Sequence, residues 1–102
     1  AEDMVARKLA EAGVEAEALL EGLRAALAKD GDLLDRDEAQ TLAEGMARLE
    51  QVLQQADVDV MRERTEELGR ASETFAARRM DRSIQSALRG ISVGQLDAES
   101  PE

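Results

Sequence analysis

Apolar residues recur at spacings of three and four along the first part of the chain, and this pattern constrains the fold more than any other feature of the sequence. The residues are Val5, Leu9, Ala12, Ala16, Leu19, Leu20, Leu23 and Leu27. A period near 3.6 residues places them on one face of an α-helix. The sequence therefore predicts a first amphipathic helix of about seven turns.

Glycines mark the end and two interior points of this first helix. We expect the helix to stop at residues 30–32, where Gly31 suits the left-handed position that follows a helix C-terminus. Inside the helix, Gly13 and Gly22 each cost roughly 1 kcal/mol relative to alanine. We interpret these two glycines as points where another helix packs closely.

Two aspartates indicate where the next helices begin. Asp35, with Glu38 three residues later, forms a variant of the capping box and predicts the start of a second helix. Asp57 is expected to cap a third helix. Between the first two helices, Leu33 and Leu34 are too apolar for a free loop, so we expect them to close one end of a bundle.

The second and third helices also carry apolar stripes. These are Leu42, Met46, Leu49, Val52 or Leu53, and Ala56 in the second, and Val58, Met61, Leu68, Ala71, Phe75, Ile84 and Leu88 in the third. Small and polar residues allow for a bend or break at 69–74, and Gly90 is expected to end the third helix. The fold predicted for residues 1–90 is an all-α, antiparallel up-down bundle of three main helices. Residues 91–102 are expected to form a partly disordered tail.

Composition removes several classes of function. The chain of 102 residues contains no Cys, His, Trp or Tyr, and its formal charge is −10. Disulfide scaffolds, zinc fingers, histidine bases and cysteine nucleophiles are therefore excluded. The negative charge opposes binding to nucleic acid and to anionic membranes, so we expect neither as a partner. The lack of cysteine fits a reducing compartment, and we expect a cytoplasmic location.

Carboxylates are the only plentiful reactive groups, and one cluster of them has some features of a calcium loop. The cluster is Asp30, Asp32, Asp35 and Asp37. The calcium-binding loop needs glycine at its sixth position, where Asp35 stands here, and helix capping already explains an aspartate at that point. We therefore predict no metal site, no bound cofactor and no catalytic residue in this chain.

Arginines are concentrated in the third helix. Arg78, Arg79 and Arg82 lie close together, whereas residues 1–55 carry a net negative charge. These arginines could hold a phosphate or a partner's carboxylate, or could lie against the acidic first helix. We favour the simpler interpretation of ordinary solvated helix surfaces, because exposed ion pairs contribute little stability.

The C-terminal region resembles a known family. Residues 75–83, with the sequence FAARRMDRS, and residues 87–90, with the sequence ALRG, closely resemble the C-terminal end of HscA-type chaperones. These are DnaK-type (heat-shock protein 70) chaperones devoted to iron–sulfur cluster assembly. Weaker similarities occur at residues 6–7, 9–11, 14–16, 25–28, 33–34 and 57–59. The resemblance covers about residues 3–93; Ile91 departs from it, standing where the family has a polar residue.

What the resemblance implies is a lid. In such chaperones the helical part of the substrate-binding domain folds over a peptide-binding β-sandwich and slows client release. The resemblance also implies that ATP and magnesium bind in an ATPase domain outside this chain, so we expect the chain itself to be no enzyme. Implied partners are the β-sandwich of its own full-length protein, an iron–sulfur scaffold client of the IscU type and a J-domain cochaperone.

An acidic residue of the lid helix contacts the β-sandwich in relatives, and by register this latch falls at Glu17, with Glu21 one turn later. The alternative for both is ordinary solvated helix surface. A further hypothesis is that the isolated lid self-associates through the apolar face that normally meets the sandwich.

Two other functions stay open. The first is a free-standing acidic helical adaptor or oligomerisation module. The chain opens at Ala1 without an initiator methionine and in helical sequence, which favours a fragment of a longer protein. The second is an enzyme that uses carboxylates, which would require a raised pKa in a buried Asp or Glu pair.

Overall fold

The computed structural model describes residues 2–99, and within them every main element is helical. The elements are α1 (Glu2–Asp30), a short 3-10 helix (Gly31–Leu33), α2 (Arg36–Val52), α3 (Val58–Ala71) and α4 (Glu73–Glu99). No strand occurs in this range. The predicted all-α class is confirmed, while the antiparallel order of three main helices stays a prediction.

Both predicted helix starts are confirmed by their caps. The Asp35 carboxylate accepts a hydrogen bond from the Glu38 backbone N–H at 2.8 Å, and the Glu38 carboxylate accepts one from the Asp35 N–H at 3.0 Å. Asp57 accepts a hydrogen bond from the Val60 N–H at 3.1 Å. These contacts satisfy backbone donors that have no partner inside the helix.

The predicted third helix is broken, as the residues at 69–74 allowed. α3 ends at Ala71 and α4 begins at Glu73, so the described chain has four α-helices instead of three. Ser72 lies at the break, and its hydroxyl donates a hydrogen bond to the Gly69 carbonyl at 2.9 Å. A side chain that bonds to the preceding turn favours a bend at this point.

Two glycines that were expected to end helices occupy other positions in the structure. α4 continues through Gly90 to Glu99, so the predicted end at Gly90 is wrong. Gly31 opens the 3-10 helix, and no described glycine has a positive φ, so the predicted left-handed cap is also wrong. A glycine inside a helix costs only about 1 kcal/mol, which favourable neighbours can offset. The expected disorder of the tail 91–102 stays a prediction, and its residues 100–102 lie outside the described part.

The apolar core joins α1, α2 and α3, with α3 in contact with both of the others. Its buried residues are Ala12, Ala16, Leu20, Leu23, Ala26, Leu42, Met46, Leu49, Val52, Met61, Leu68 and Phe75. Leu33 and Leu34 pack against this core, as expected for residues that close one end of it. The predicted third stripe fails at Ala71, which is exposed, and again beyond Phe75, where Ile84 and Leu88 are 49% and 56% exposed.

The close helix contact also differs from the expectation. A Cβ atom added at Gly13 or Gly22 would meet nothing within 4 Å, so neither glycine marks close packing. At Gly45 on α2, a Cβ would lie 3.1 Å from Cδ1 of Leu68 on α3. Among the glycines in residues 2–90, the one with a close neighbour is therefore Gly45 on α2.

Candidate functional site

The densest polar arrangement lies where the start of α4 meets the connection between α1 and α2. Arg78, Arg79 and Arg82 occupy neighbouring positions on one side of α4, because residues three or four apart share a helix face. Below them lie the last residue of α1, the 3-10 helix and the first turn of α2. We call this group of side chains the arginine clasp: Arg78, Arg79, Arg82, Asp30, Asp32 and Glu38.

Arg78 joins α4 to the start of α2. Its guanidinium donates two hydrogen bonds to the two carboxylate oxygens of Glu38, at 2.7 and 2.9 Å, which is the strong bidentate geometry. It also donates to the Leu33 carbonyl at 2.9 Å. Because Glu38 completes the cap of α2 as well, one carboxylate fixes both the start of α2 and the position of α4.

Arg79 and Arg82 join α4 to the end of α1. Arg79 Nε donates to Asp30 at 2.9 Å and Arg82 donates to the same carboxylate at 3.1 Å. Arg82 makes a second, bidentate pair with Asp32 at 3.0 and 2.6 Å. The Asp30 side chain is only 9% exposed, so its charge depends on these two arginines. The Arg79 guanidinium also lies over the Phe75 ring, 5.9 Å from its centroid.

These contacts lower the pKa values of all three carboxyl groups in the clasp. The Arg78 hydrogen bonds, followed by that from the Asp35 backbone, lower the pKa of Glu38 to about 2. Hydrogen bonds from Arg79 lower the pKa of Asp30, and those from Arg82 lower the pKa of Asp32. A general acid needs a raised carboxyl pKa, so the arginine clasp is suited to holding charges in place and not to transferring protons.

The clasp also accounts for the aspartate-rich loop. Asp30 and Asp32 are paired with arginines, and Asp35 caps α2. Within the part of the chain that the structure describes, no group of three or more His, Cys, Asp or Glu residues is arranged to hold a metal ion. Two of the four aspartates, Asp30 and Asp32, are therefore partners for α4.

The two candidate latch residues lie elsewhere on α1. Glu17 and Glu21 are both exposed on the helix surface. Glu17 borders a shallow groove with Leu9 and the α2–α3 connection, and lies about 20 Å along α1 from Asp30 at 1.5 Å per residue. The structure therefore does not bring them into the arginine clasp, and their role as a latch stays a prediction.

Sequence analysis considered a contact between these arginines and the acidic first helix but did not favour it, although both halves of the clasp were visible. The favoured interpretation of the arginines as solvated surface is wrong for Arg78, Arg79 and Arg82. The signal was an acidic loop and a basic helix segment of opposite charge. No local sequence pattern links the loop to the helix segment, because the paired residues are 40 to 52 positions apart in the chain.

Comparison with known proteins identifies the class of this helical structure. A sequence model described as Hsp70 protein matches residues 1–81. The chain therefore belongs to the Hsp70 family. No helix in the described residues combines the length and apolar character that a membrane crossing requires.

Within that family, the chain is similar to HscA chaperones. It is 54% identical over 95 residues to a protein named chaperone protein HscA homolog from Shewanella loihica, covering 93% of this chain and 15% of the relative. Homologues of the same name from Vibrio cholerae and Neisseria meningitidis serogroup B are each 46% identical over 96 residues, covering 93% and 94% of this chain. The similarity lies in the C-terminal part of these relatives, and the chain spans only 15–16% of their length.

Proposed function

We propose that this chain is the lid segment of an HscA-type chaperone, which closes over a peptide-binding β-sandwich and slows the release of client protein. The observation that carries the proposal is the similarity of 93% of the chain to the C-terminal part of HscA homologues. The chain itself catalyses no reaction in this proposal. Its effect is on the dissociation rate of the client, because a closed lid blocks the exit route.

The arginine clasp supports a lid that moves as one body. A lid can block an exit only if its helices keep their relative positions when the hinge moves. The clasp ties α4 to both α1 and α2 through bidentate and shared carboxylate pairs. In the same proposal the bundle is up-down: α2 runs antiparallel to α1, and α3 with the start of α4 forms the third helix and runs antiparallel to α2.

The face toward the sandwich is the first part of α1. Met4 and Val5 are neighbouring large apolar residues there and are 62% and 61% exposed. Glu17 and Glu21 follow on the same helix and are the proposed latch. Their carboxylates would reach charged or polar groups of the sandwich from an exposed position.

The wider role is proposed from the relatives. The full-length protein would hydrolyse ATP with magnesium in a domain outside this chain. It would act in the cytoplasm on an iron–sulfur scaffold client of the IscU type with a J-domain cochaperone. The name of the relatives, chaperone protein HscA homolog, supports the chaperone part of this proposal.

A chimera tests the lid directly. This chain would replace the matching C-terminal segment of the Vibrio cholerae homologue, and the dissociation rate of a fluorescent client peptide would be measured with ADP bound. We expect the chimera to release peptide at the rate of the intact relative, and a version lacking the segment to release it about tenfold faster. Equal rates with and without the segment would contradict the lid function.

Variants of the chimera test the latch. Glu17→Ala is expected to accelerate peptide release several-fold, and Glu21→Ala by less. Glu63→Ala provides a matched control, since Glu63 is also exposed but lies on α3. If all three variants release peptide at the rate of the unmodified chimera, the acidic residues of α1 are solvated surface.

An immunoblot separates the lid from the adaptor. An antibody raised against this chain should detect a band several-fold heavier than 11.1 kDa in the source cell. A single band at the mass of the chain would favour a free-standing adaptor instead.

A further inference from the structure

A groove of about 280 Å³ lies between the second half of α1 and the first turns of α4. Its lining includes Leu23, Ala26 and Phe75, which are at most 7% exposed and give it an apolar floor. Gly22 lines the α1 side, where an added Cβ atom would meet nothing within 4 Å. The missing side chain at this position therefore leaves room for an apolar side chain from outside. We call this cavity the Gly22 groove.

A second, polar cavity of about 140 Å³ adjoins the Gly22 groove at Arg79, which lines both. Three cations face two carboxylates around it when Asp32, the outer partner of Arg82, is counted. The polar cavity therefore keeps a net positive charge, although the formal charge of the chain is −10. Its other lining residues are Lys29, Asp30, Arg82, Ser83 and Ser86.

Arg79 has hydrogen-bond donors to spare at this junction. Its hydrogen bond to Asp30 uses Nε alone, and its guanidinium makes no further hydrogen bond among residues 2–90. A guanidinium with two remaining N–H groups can bind a carboxylate through parallel hydrogen bonds. The Phe75 ring holds this guanidinium over the apolar floor, 5.9 Å from the ring centroid. Lys29, exposed at the end of α1, adds a second cation.

The opposite end of the Gly22 groove is acidic. Glu15 lies on the same side of α1, seven residues before Gly22, and Glu73 lies in the first turn of α4; both are exposed. Lys29 lies seven residues after Gly22, so the groove runs from negative to positive charge. Nucleic acid or an anionic membrane would meet carboxylates at one end, and a uniformly basic ligand would meet cations at the other. The complementary ligand carries an anionic group at one end only.

The dimensions indicate what this ligand is. Pockets that enclose a whole small molecule have roughly 300–1,000 Å³, so the Gly22 groove suits one side chain of a larger partner. Gly22 and Lys29 are about 10 Å apart along α1, which three residues of an extended chain span. We propose that the Gly22 groove binds an extended segment of a partner protein, with an apolar side chain in the groove and a carboxylate three residues away on Arg79 and Lys29. The proposal does not rest on the lid function, because Gly22 and Glu17 are about 140° apart around α1.

Two-dimensional NMR of the whole isotope-labelled chain tests this site. The probe is the peptide acetyl-Gly-Ser-Leu-Ser-Ser-Glu-Ser-Gly-amide, in which leucine and glutamate are three residues apart. It is expected to shift the amide signals of Gly22, Ala76 and Arg79 with a Kd on the order of 100 μM to 1 mM. Peptides with lysine in place of the glutamate, or serine in place of the leucine, are expected to bind about tenfold more weakly or not at all.

Gly22→Leu fills the groove from within and is expected to raise the Kd of the probe about tenfold or more. Gly13→Leu is the matched control, because Gly13 is also inside α1 with nothing within 4 Å of an added Cβ, and it lies outside the groove. It should leave the Kd unchanged. Both variants are expected to keep or gain thermal stability, since leucine favours a helix more than glycine does. Lost binding in Gly22→Leu therefore reports the filled groove and not unfolding.

Lys29→Gln tests the carboxylate contact without touching the arginine clasp. It is expected to weaken the glutamate peptide several-fold and to leave unchanged the affinity for a peptide with glutamine at that position. The proposal is overturned if the probe shifts none of the groove amides at about 5 mM, if the lysine peptide binds equally well, or if Gly22→Leu binds like the unmodified chain. Concentration-dependent shifts of the groove amides without peptide, abolished by Gly22→Leu, would assign the groove to a second copy and also overturn it.

Discussion

The helical body, which comprises residues 2–71, and α4 are held in place by different interactions. In the body, α1, α2 and α3 meet through apolar side chains such as Leu20, Leu49 and Leu68, which are at most 2% exposed. From residue 76 to 90, α4 contributes no buried side chain and is attached by three arginines. Among the α4 side chains described, residues 73–90, Phe75 is the last in the core, and it separates the two modes of attachment.

This difference predicts that the two regions respond to different conditions. Apolar burial is insensitive to moderate salt and to acid, whereas charge pairs at a partly exposed surface weaken in both. Much of α4 therefore belongs to the part of the molecule that opens at the lowest free energy. Each prediction below changes one side of this comparison and leaves the other intact.

The largest effect is expected at the junction. Phe75→Ala removes an aromatic side chain that is 1% exposed and should lower the free energy of unfolding by about 3–5 kcal/mol. Urea denaturation followed by circular dichroism measures it. Met80→Ala, on the same helix but 65% exposed, should change stability by at most about 0.5 kcal/mol. Similar losses for both variants would mean that Phe75 does not anchor α4.

The next effect concerns the carboxylate shared by two arginines. Asp30→Asn removes the charge that Arg79 and Arg82 both contact, so we expect Tm to fall by a few degrees and the amides of α4 to exchange hydrogen faster. Added salt should also lower the Tm of the variant by less than it lowers the Tm of the unmodified chain.

Glu50→Gln is the control for Asp30→Asn. Glu50 pairs with Arg24, but both side chains are about half exposed, so this pair should contribute little. Amide exchange that accelerates equally in α4 and in α2 after Asp30→Asn would show that the clasp is not a local attachment.

A smaller effect appears on acidification. Arg78 lowers the pKa of Glu38 from 4.5 to about 2, so the folded state holds the charged form more strongly than the unfolded state does. The stability from this pair is fully present above the unfolded pKa, near 4.5, and is lost as the pH falls toward 2. The pKa values of Asp30 and Asp32 are also lowered, so their contributions are lost on acidification as well.

Glu38→Gln measures this contribution. The difference in unfolding free energy between the unmodified chain and the variant should be constant above about pH 5.5 and shrink as the pH is lowered. Glu44→Gln, at an exposed position of the same helix, serves as control and should give a smaller difference. A Glu38 difference that does not change with pH would contradict the charge pairing with Arg78.

How far the sequence predicts the structure follows the same division. The caps at Asp35 and Asp57 were predictable because each partner lies three residues away. The two buried stripes that contain Leu20 on α1 and Leu49 on α2 were predictable, because helical periodicity is a local signal. The arginine clasp was not, since it depends on which way α4 leaves the break at Ser72. As for the site, Glu17 and Glu21 came from resemblance alone, and the structure leaves their role as a prediction.

The smallest effect is the difference in stability between alanine substitutions at Gly22 and Gly45, two helix-interior glycines that the sequence does not distinguish. Gly22→Ala should stabilise the chain by about 0.5–1 kcal/mol, because alanine favours the helix and its Cβ meets nothing within 4 Å. Gly45→Ala gains the same helix preference, but its Cβ would lie 3.1 Å from Cδ1 of Leu68, which is 1% exposed and has little room to move. It should therefore stabilise less than Gly22→Ala, or destabilise. Thermal unfolding of both variants measures the difference, and an equal gain at both positions would mean that α2 and α3 can separate slightly at no cost. Position 45 would then tolerate a Cβ atom as well as position 22 on the open surface of α1 does. The Leu68 side chain would move enough to relieve the close contact.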